Sequence, residues 1–80
     1  MSNHIKLIWE FRGPNALRTA EHHIIHLKEY IVIEKLSLNE TEIQQFSEFQ
    51  VMASMLVTEE EMPKVRAALK PNKGQLIKNK

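Results

Sequence analysis

The hydrophobic repeat of this chain switches twice from period two to a spacing of three and four, all within 80 residues. Period two places alternate side chains on one face of a strand, and a spacing of three and four builds one stripe on a helix. A chain that makes this switch twice reads as two strand–helix units. Its economical solution is one sheet covered by both helices.

The first unit opens at residues 4–12. Ile5, Leu7, Trp9 and Phe11 share one face, and Lys6, Glu10 and Arg12 share the other with Ile8. Gly13-Pro14 ends this strand and prepares a helix start near Asn15. Residues 15 to about 33 carry Leu17, Ala20, Ile24, Leu27 and Ile31 in one stripe, with Arg18, His22, His26 and Glu29 roughly opposite. Ile25, Val32 and Ile33 fall outside the stripe and imply a second contact surface. Residues 36–47 read equally as a helix begun at Asn39-Glu40-Thr41-Glu42 or as a strand.

The second unit opens at residues 48–58. Phe49, Val51, Ala53, Met55 and Val57 alternate with Gln50, Met52, Ser54, Leu56 and Thr58. Met52 and Leu56 make its second face apolar, as for a covered central strand. Thr58-Glu59-Glu60-Glu61 has the form of a capping box, with three acids at the positive end of the helix dipole. Met62, Val65 and Leu69 form the next helical stripe, with Ala68 alongside. Pro63 fits only within its first turn, and Pro71 ends it. Asn72-Lys73-Gly74 reads as a turn and residues 75–78 as a short edge strand.

The order strand, helix, strand, strand, helix, strand is that of a ferredoxin-like split β-α-β sandwich. The expected class is α+β, a single domain over residues 1–80, with two helices on one face of an antiparallel sheet. The open face would carry Ile8, Met52 and Leu56. Phe11-Arg12-Gly13-Pro14, Thr19-Ala20-Glu21-His22-His23, Glu61-Met62-Pro63 and Lys70-Pro71 together resemble small bacterial domains of this type. The resemblance implies the fold and carries no activity with it.

Composition removes several chemistries. Cysteine is absent, so disulfides, thiolate nucleophiles and Cys-based metal sites are excluded. All ten acids are Glu, which excludes an Asp-containing triad and an EF-hand loop. Two glycines cannot build a Gly-rich phosphate cradle. The serines lie in no nucleophile elbow, and the methionines fall at core positions. The N-terminus lacks the form of a signal peptide, and no apolar run reaches the roughly 18 residues of a membrane span. A cytoplasmic protein without membrane contact is expected. A domain this small buries only about 60% of its unfolded surface, so a homodimer is expected as well.

Three clusters bear on function. His22, His23 and His26 lie within one helical turn and a half. His22, His26 and Glu29 share about 60° of arc and offer two imidazoles and a carboxylate to zinc, nickel or iron. His4 or a second copy would complete a closed site. In the helix of zinc proteases Glu follows the first His; here His23 stands there, so that general base is missing. The competing interpretation is three solvated or hydrogen-bonded histidines, with His23 at the edge of the apolar stripe and no resident cofactor. The second cluster is a charge division. Residues 1–61 hold five Lys and Arg against ten Glu, a balance of −5; residues 62–80 hold six Lys and Arg and no acid, a balance of +6. The basic end can meet phosphate, but the acidic remainder and the lack of aromatic residues over 62–80 argue against nucleic acid. The third is a candidate ligand site of Trp9, Arg12 and His23, although Trp9 is more often a core residue than a ligand platform; Arg12 would meet an anion near the helix start. Tyr30 and the histidines can supply acid–base chemistry. The expectation is a self-associating domain with an interaction or small-ligand role and no catalysis. The alternative is a metal-binding protein or a cofactor-free enzyme using His22, His23 and His26.

Overall fold

A computed structural model describes residues 3–77. The elements are β1 (His4–Arg12), α1 (Ala16–Glu34), β2 (Thr41–Ser47), β3 (Gln50–Thr58), α2 (Met62–Leu69) and β4 (Lys73–Ile77). The chain is α+β, with two helices and a four-stranded antiparallel sheet of order β2-β3-β1-β4.

The alternation in β1 and β3 sets the core. Leu7 and Trp9 stand with Val51, Ala53, Met55 and Val57 under Ala16, Ala20, Ile24, Leu27 and Ile31 of α1 and Val65 of α2. Register pairs Leu7 with Met55 and Trp9 with Ala53, so both strands turn these side chains to the helices. At roughly 1.5–3 kcal/mol for each large apolar side chain buried, this cluster is the main driving force of the fold.

The opposite sheet face departs from expectation. Ile8 is only 4% exposed, and Met52 and Leu56 are half-buried. Two ion pairs flank them: Lys6 Nζ reaches Glu42 Oε1 at 3.4 Å, and Lys73 Nζ reaches Glu10 Oε2 at 3.1 Å. These pairs run from β1 to both outer strands, and long aliphatic stems cover apolar surface while their charges stay in water. Other large apolar residues stay exposed, at Ile25 (55%), Val32 (69%) and Ile33 (73%) of α1, at the β2–β3 hairpin, and at Leu76 (51%) and Ile77 (38%) of β4.

Residues 36–47 resolve into a loop and β2. Of the two readings the strand forms and the helix start at Asn39 does not, because Glu40 accepts a backbone hydrogen bond from Leu56 N at 3.1 Å and β3 draws the segment into the sheet. Phe49 leaves the strand alternation. It sits in the hairpin turn, 56% exposed, where its N–H donates to Ser47 Oγ and its carbonyl accepts from Gly13 N. Gly13 has φ +112°, a left-handed value that suits glycine at this turn into α1.

The capping box forms, but ahead of the helix. Glu61 N–H donates to Thr58 Oγ1 at 3.2 Å and Thr58 N–H donates to Glu61 Oε1 at 3.4 Å. Residues 59–61 are a turn, and α2 begins at Met62 with Pro63 in its first turn. The three acids therefore precede α2 and do not lie within it. Ala68 is exposed. Lys73 and Gly74, expected in a turn, belong to β4; Lys78, expected to close that strand, lies outside the described residues. Both helices end on a lysine in the left-handed region, Lys35 at φ 53° and Lys70 at φ 48°. No helix of the described residues is long and apolar enough to cross a membrane.

Candidate functional site

β1 and α1 bring Trp9, Phe11 and His23 together. Trp9 and Phe11 alternate on the helix-facing side of β1, and His23 lies at the margin of the buried stripe of α1. The imidazole stands 4.8 Å from the Trp9 ring, tilted by 59°, and 5.5 Å from Phe11 in an edge-to-face arrangement. Such tilted pairs set the positive edge of one ring on the negative face of another. Trp9 Nε1 donates to Leu69 O at 3.0 Å, so the indole joins β1 to both helices.

His23 Nε2 is buried and has no hydrogen-bond partner. Burial first, and the charge of His26 second, hold the His23 imidazole below its ordinary pKa. A neutral ring between two aromatic faces is the electrostatic consequence, because an imidazolium there would lose hydration without gaining a carboxylate. The Trp9 and His23 of the sequence reading thus meet, and Phe11 completes the cluster. Phe11 was legible as the third residue of the same alternating face. Arg12 does not join them. It is exposed at the end of β1, and strand alternation turns it to the other side of the sheet from Trp9 and Phe11.

His22, His26 and Glu29 are all exposed on α1. His26 Nδ1 lies 3.6 Å from Glu29 Oε1. Among the described residues no group of three His, Cys, Asp or Glu is placed to hold a metal ion. His4 lies on β1, away from this helix face in sequence and half-buried.

The basic segment is partly tied into the fold. Lys64 Nζ pairs with Glu34 Oε1 at 2.7 Å, which raises the lysine pKa, and Lys73 pairs with Glu10. Two of its positive charges are thereby matched to acids of the first sixty-one residues. Lys80, like Lys78, lies outside the described residues.

Two clefts lie beside other residues. One of about 760 Å³ extends from Lys28 and Val32 of α1, past the start of β2 at Glu40 and Thr41, to Leu56 and Ile77 of the sheet. The other, of about 360 Å³, lies between α2 and β4 against Met62, Arg66, Gly74 and Leu76. A Cβ at Gly74 would make ordinary contact with Leu7 Cδ2 at 3.5 Å and Ile5 Cγ2 at 3.6 Å. Neither cleft is lined by Trp9, Arg12 or His23. Lys28 was not singled out in the sequence because nothing there tells one exposed helix lysine from another. Compared with known protein families, with curated proteins and with solved structures, the chain matches none.

Proposed function

We infer that the chain is a self-associating α+β domain of ferredoxin-like type whose role is interaction or small-ligand binding. The observation that carries this reading is the outer surface of α1, where Ile25, Val32 and Ile33 remain exposed while Ile8, Met52 and Leu56 of the open sheet face are buried or half-buried. Three large aliphatic side chains on one helix surface lose hydration cost when a partner covers them. The ferredoxin-like assignment rests on the element order β-α-β-β-α-β and on burial of residues from both helices in one cluster. The small-ligand role rests on the two clefts, one beside α1 and one between α2 and β4, since Trp9 and His23 Nε2 are buried and line neither. A cytoplasmic setting without nucleic acid suits the same reading.

The alternative role, divalent metal held by His22, His26 and Glu29, is favoured by the approach of His26 to Glu29. One experiment separates the two. Native mass by light scattering, with elemental analysis, is measured with and without added zinc and nickel. A metal-free particle of twice the chain mass, unchanged by metal, supports self-association. One tightly held metal per chain, lost in a His22→Ala/His26→Ala variant, replaces it with a metalloprotein.

A further inference from the structure

Resting on the self-association reading, we propose that the partner is a second copy of this chain, paired through the free edge of β2 and the overhanging flank of α1 about one two-fold axis near Ile43. The edge comes first. Leu56 N donates to Glu40 O, so Glu40, Glu42 and Gln44 turn their backbone groups towards β3. By the alternation of an antiparallel ladder, Thr41, Ile43 and Gln45 turn theirs outwards. A copy related by a two-fold axis at Ile43 pairs Ile43 with Ile43 and Thr41 with Gln45, and closes about six backbone hydrogen bonds. The only charge on β2 is Glu42, and in this register it faces Gln44 of the copy, so no like charges meet. The strand carries neither Lys nor Pro, two of the devices that keep an edge from pairing. The other edge, β4, carries Lys73 and is shorter.

The helix gives the same axis independently. α1 lies over β3 and β2, and its Lys28 and Val32 line the cleft beside the start of β2, so this flank overhangs the edge. Glu21 is seven residues before Lys28 and shares that flank to within about 20°. In an antiparallel helix pair centred between Ile24 and Ile25, Glu21 of each copy meets Lys28 of the other, and Val32 meets Leu17 across the contact. The level of that centre follows from the sheet. Trp9, in contact with His23, is in register with Ala53, and Ala53 with Ile43. The middle of α1 thus lies near the level of Ile43. Strands about 4.8 Å apart put the axis about 2.4 Å outside β2 and about 7 Å from β3; α1, seated over β3 and β2, then lies about 10–14 Å from its mate, a gap that long Glu and Lys side chains bridge. Edge hydrogen bonding and helix charge therefore select one arrangement, an eight-stranded sheet with the flank of α1 facing that of its mate.

The test uses the full chain over a concentration series, with mass by light scattering and fold by far-ultraviolet circular dichroism. Glu21→Lys alone and Lys28→Glu alone each weaken the dimer at least tenfold, and the double swap restores it. Gln45→Pro removes an outward N–H without touching the β3 ladder, and yields a folded monomer. A wild-type dimer indifferent to the single reversals and to Gln45→Pro overturns this interface and leaves self-association standing. A wild-type chain that stays monomeric at all concentrations overturns both. The charge reversals lie at exposed helix positions, so the swap remains decisive if the proline variant fails to fold.

Discussion

The two helices are attached to the same sheet by different means. α1 has 19 residues and buries Ala16, Ala20, Ile24, Leu27 and Ile31. α2 has eight residues and buries Val65, with Met62 and Leu69 partly covered. What α2 lacks in apolar contact is supplied by directional contacts: Trp9 Nε1 to Leu69 O, Lys64 to Glu34, and Glu61, whose Oε2 accepts from Ser37 N at 2.9 Å and Ser37 Oγ at 3.1 Å. β4, beyond α2, is exposed along its whole length. Apolar burial resists change in pH and salt, whereas exposed polar contacts are small and conditional. The unit of α1 with β1 and β3 should therefore be the stable one, and α2 with β4 the one that opens.

The largest effect that would break this contrast is at Leu27, fully buried on α1. Leu27→Ala should cost about 3 kcal/mol in urea unfolding, and Val65→Ala on α2 about 1–2 kcal/mol, since the smaller side chain leaves the smaller cavity. Equal costs would show that α2 is anchored as firmly as α1. Trp9→Phe keeps a ring in the core but removes the donor to Leu69 O. A loss of about 1–2 kcal/mol is expected, with amide exchange quickened in α2 and β4 before α1. Uniform quickening would refute the two-unit picture.

His23→Phe lies on α1, in the more stable unit, and should act in the opposite sense. It keeps the ring contacts with Trp9 and Phe11 while deleting the unpartnered Nε2, and a gain of about 1 kcal/mol at neutral pH is expected. The folded His23 pKa lies below the unfolded one, so the unfolded chain binds more protons between them and stability rises with pH across that interval. Wild-type stability should fall as pH drops below about 6.5, the ordinary histidine value, and the variant should lose that part of the slope. An unchanged slope would mean that the ring is accessible to protons and water in the folded state.

The smallest effect concerns Glu61. Burial raises its carboxyl pKa, but hydrogen bonds from Ser37 and Thr58 outweigh that and hold it below the usual value. The stabilisation is present above the unfolded pKa and is lost as pH falls through the folded one. Glu61→Gln should cost well under about 1 kcal/mol for so exposed a group, and should be felt as faster exchange at Ser37 and in α2, not as a lower midpoint.

β1, α1 and the stripe of α2 were legible because one physical signal dominated each: strict alternation in Ile5–Phe11, and three-and-four spacing from Leu17 to Ile31. β2 was not, because Ile43 and Phe46, three apart, satisfy a helical turn as readily as a strand edge. Only pairing with β3 decides, and pairing is not local. Phe49 continued the alternation of β3 in the sequence, yet a hairpin needs its turn there. The shielding of Ile8 by Lys6, Glu10 and their partners on β2 and β4 depends on strand order, which spacing does not contain. At the candidate site, the meeting of Trp9 with His23 could be anticipated only as two apolar margins facing one core. The separation of Arg12 from them follows directly from parity along β1.

The two lysines that close the helices bear on a different property, heat tolerance. A side chain in the left-handed region costs about 1–2 kcal/mol, of which glycine recovers a part after its own greater chain entropy is counted. Lys35 and Lys70 both carry this penalty. Exchanging each for glycine would raise the melting temperature by several degrees without altering a packed contact, at about 4–8 °C per kcal/mol for a domain of this size. The fold thus holds unused thermal margin at two surface positions, where destabilising substitutions made elsewhere for function can be offset.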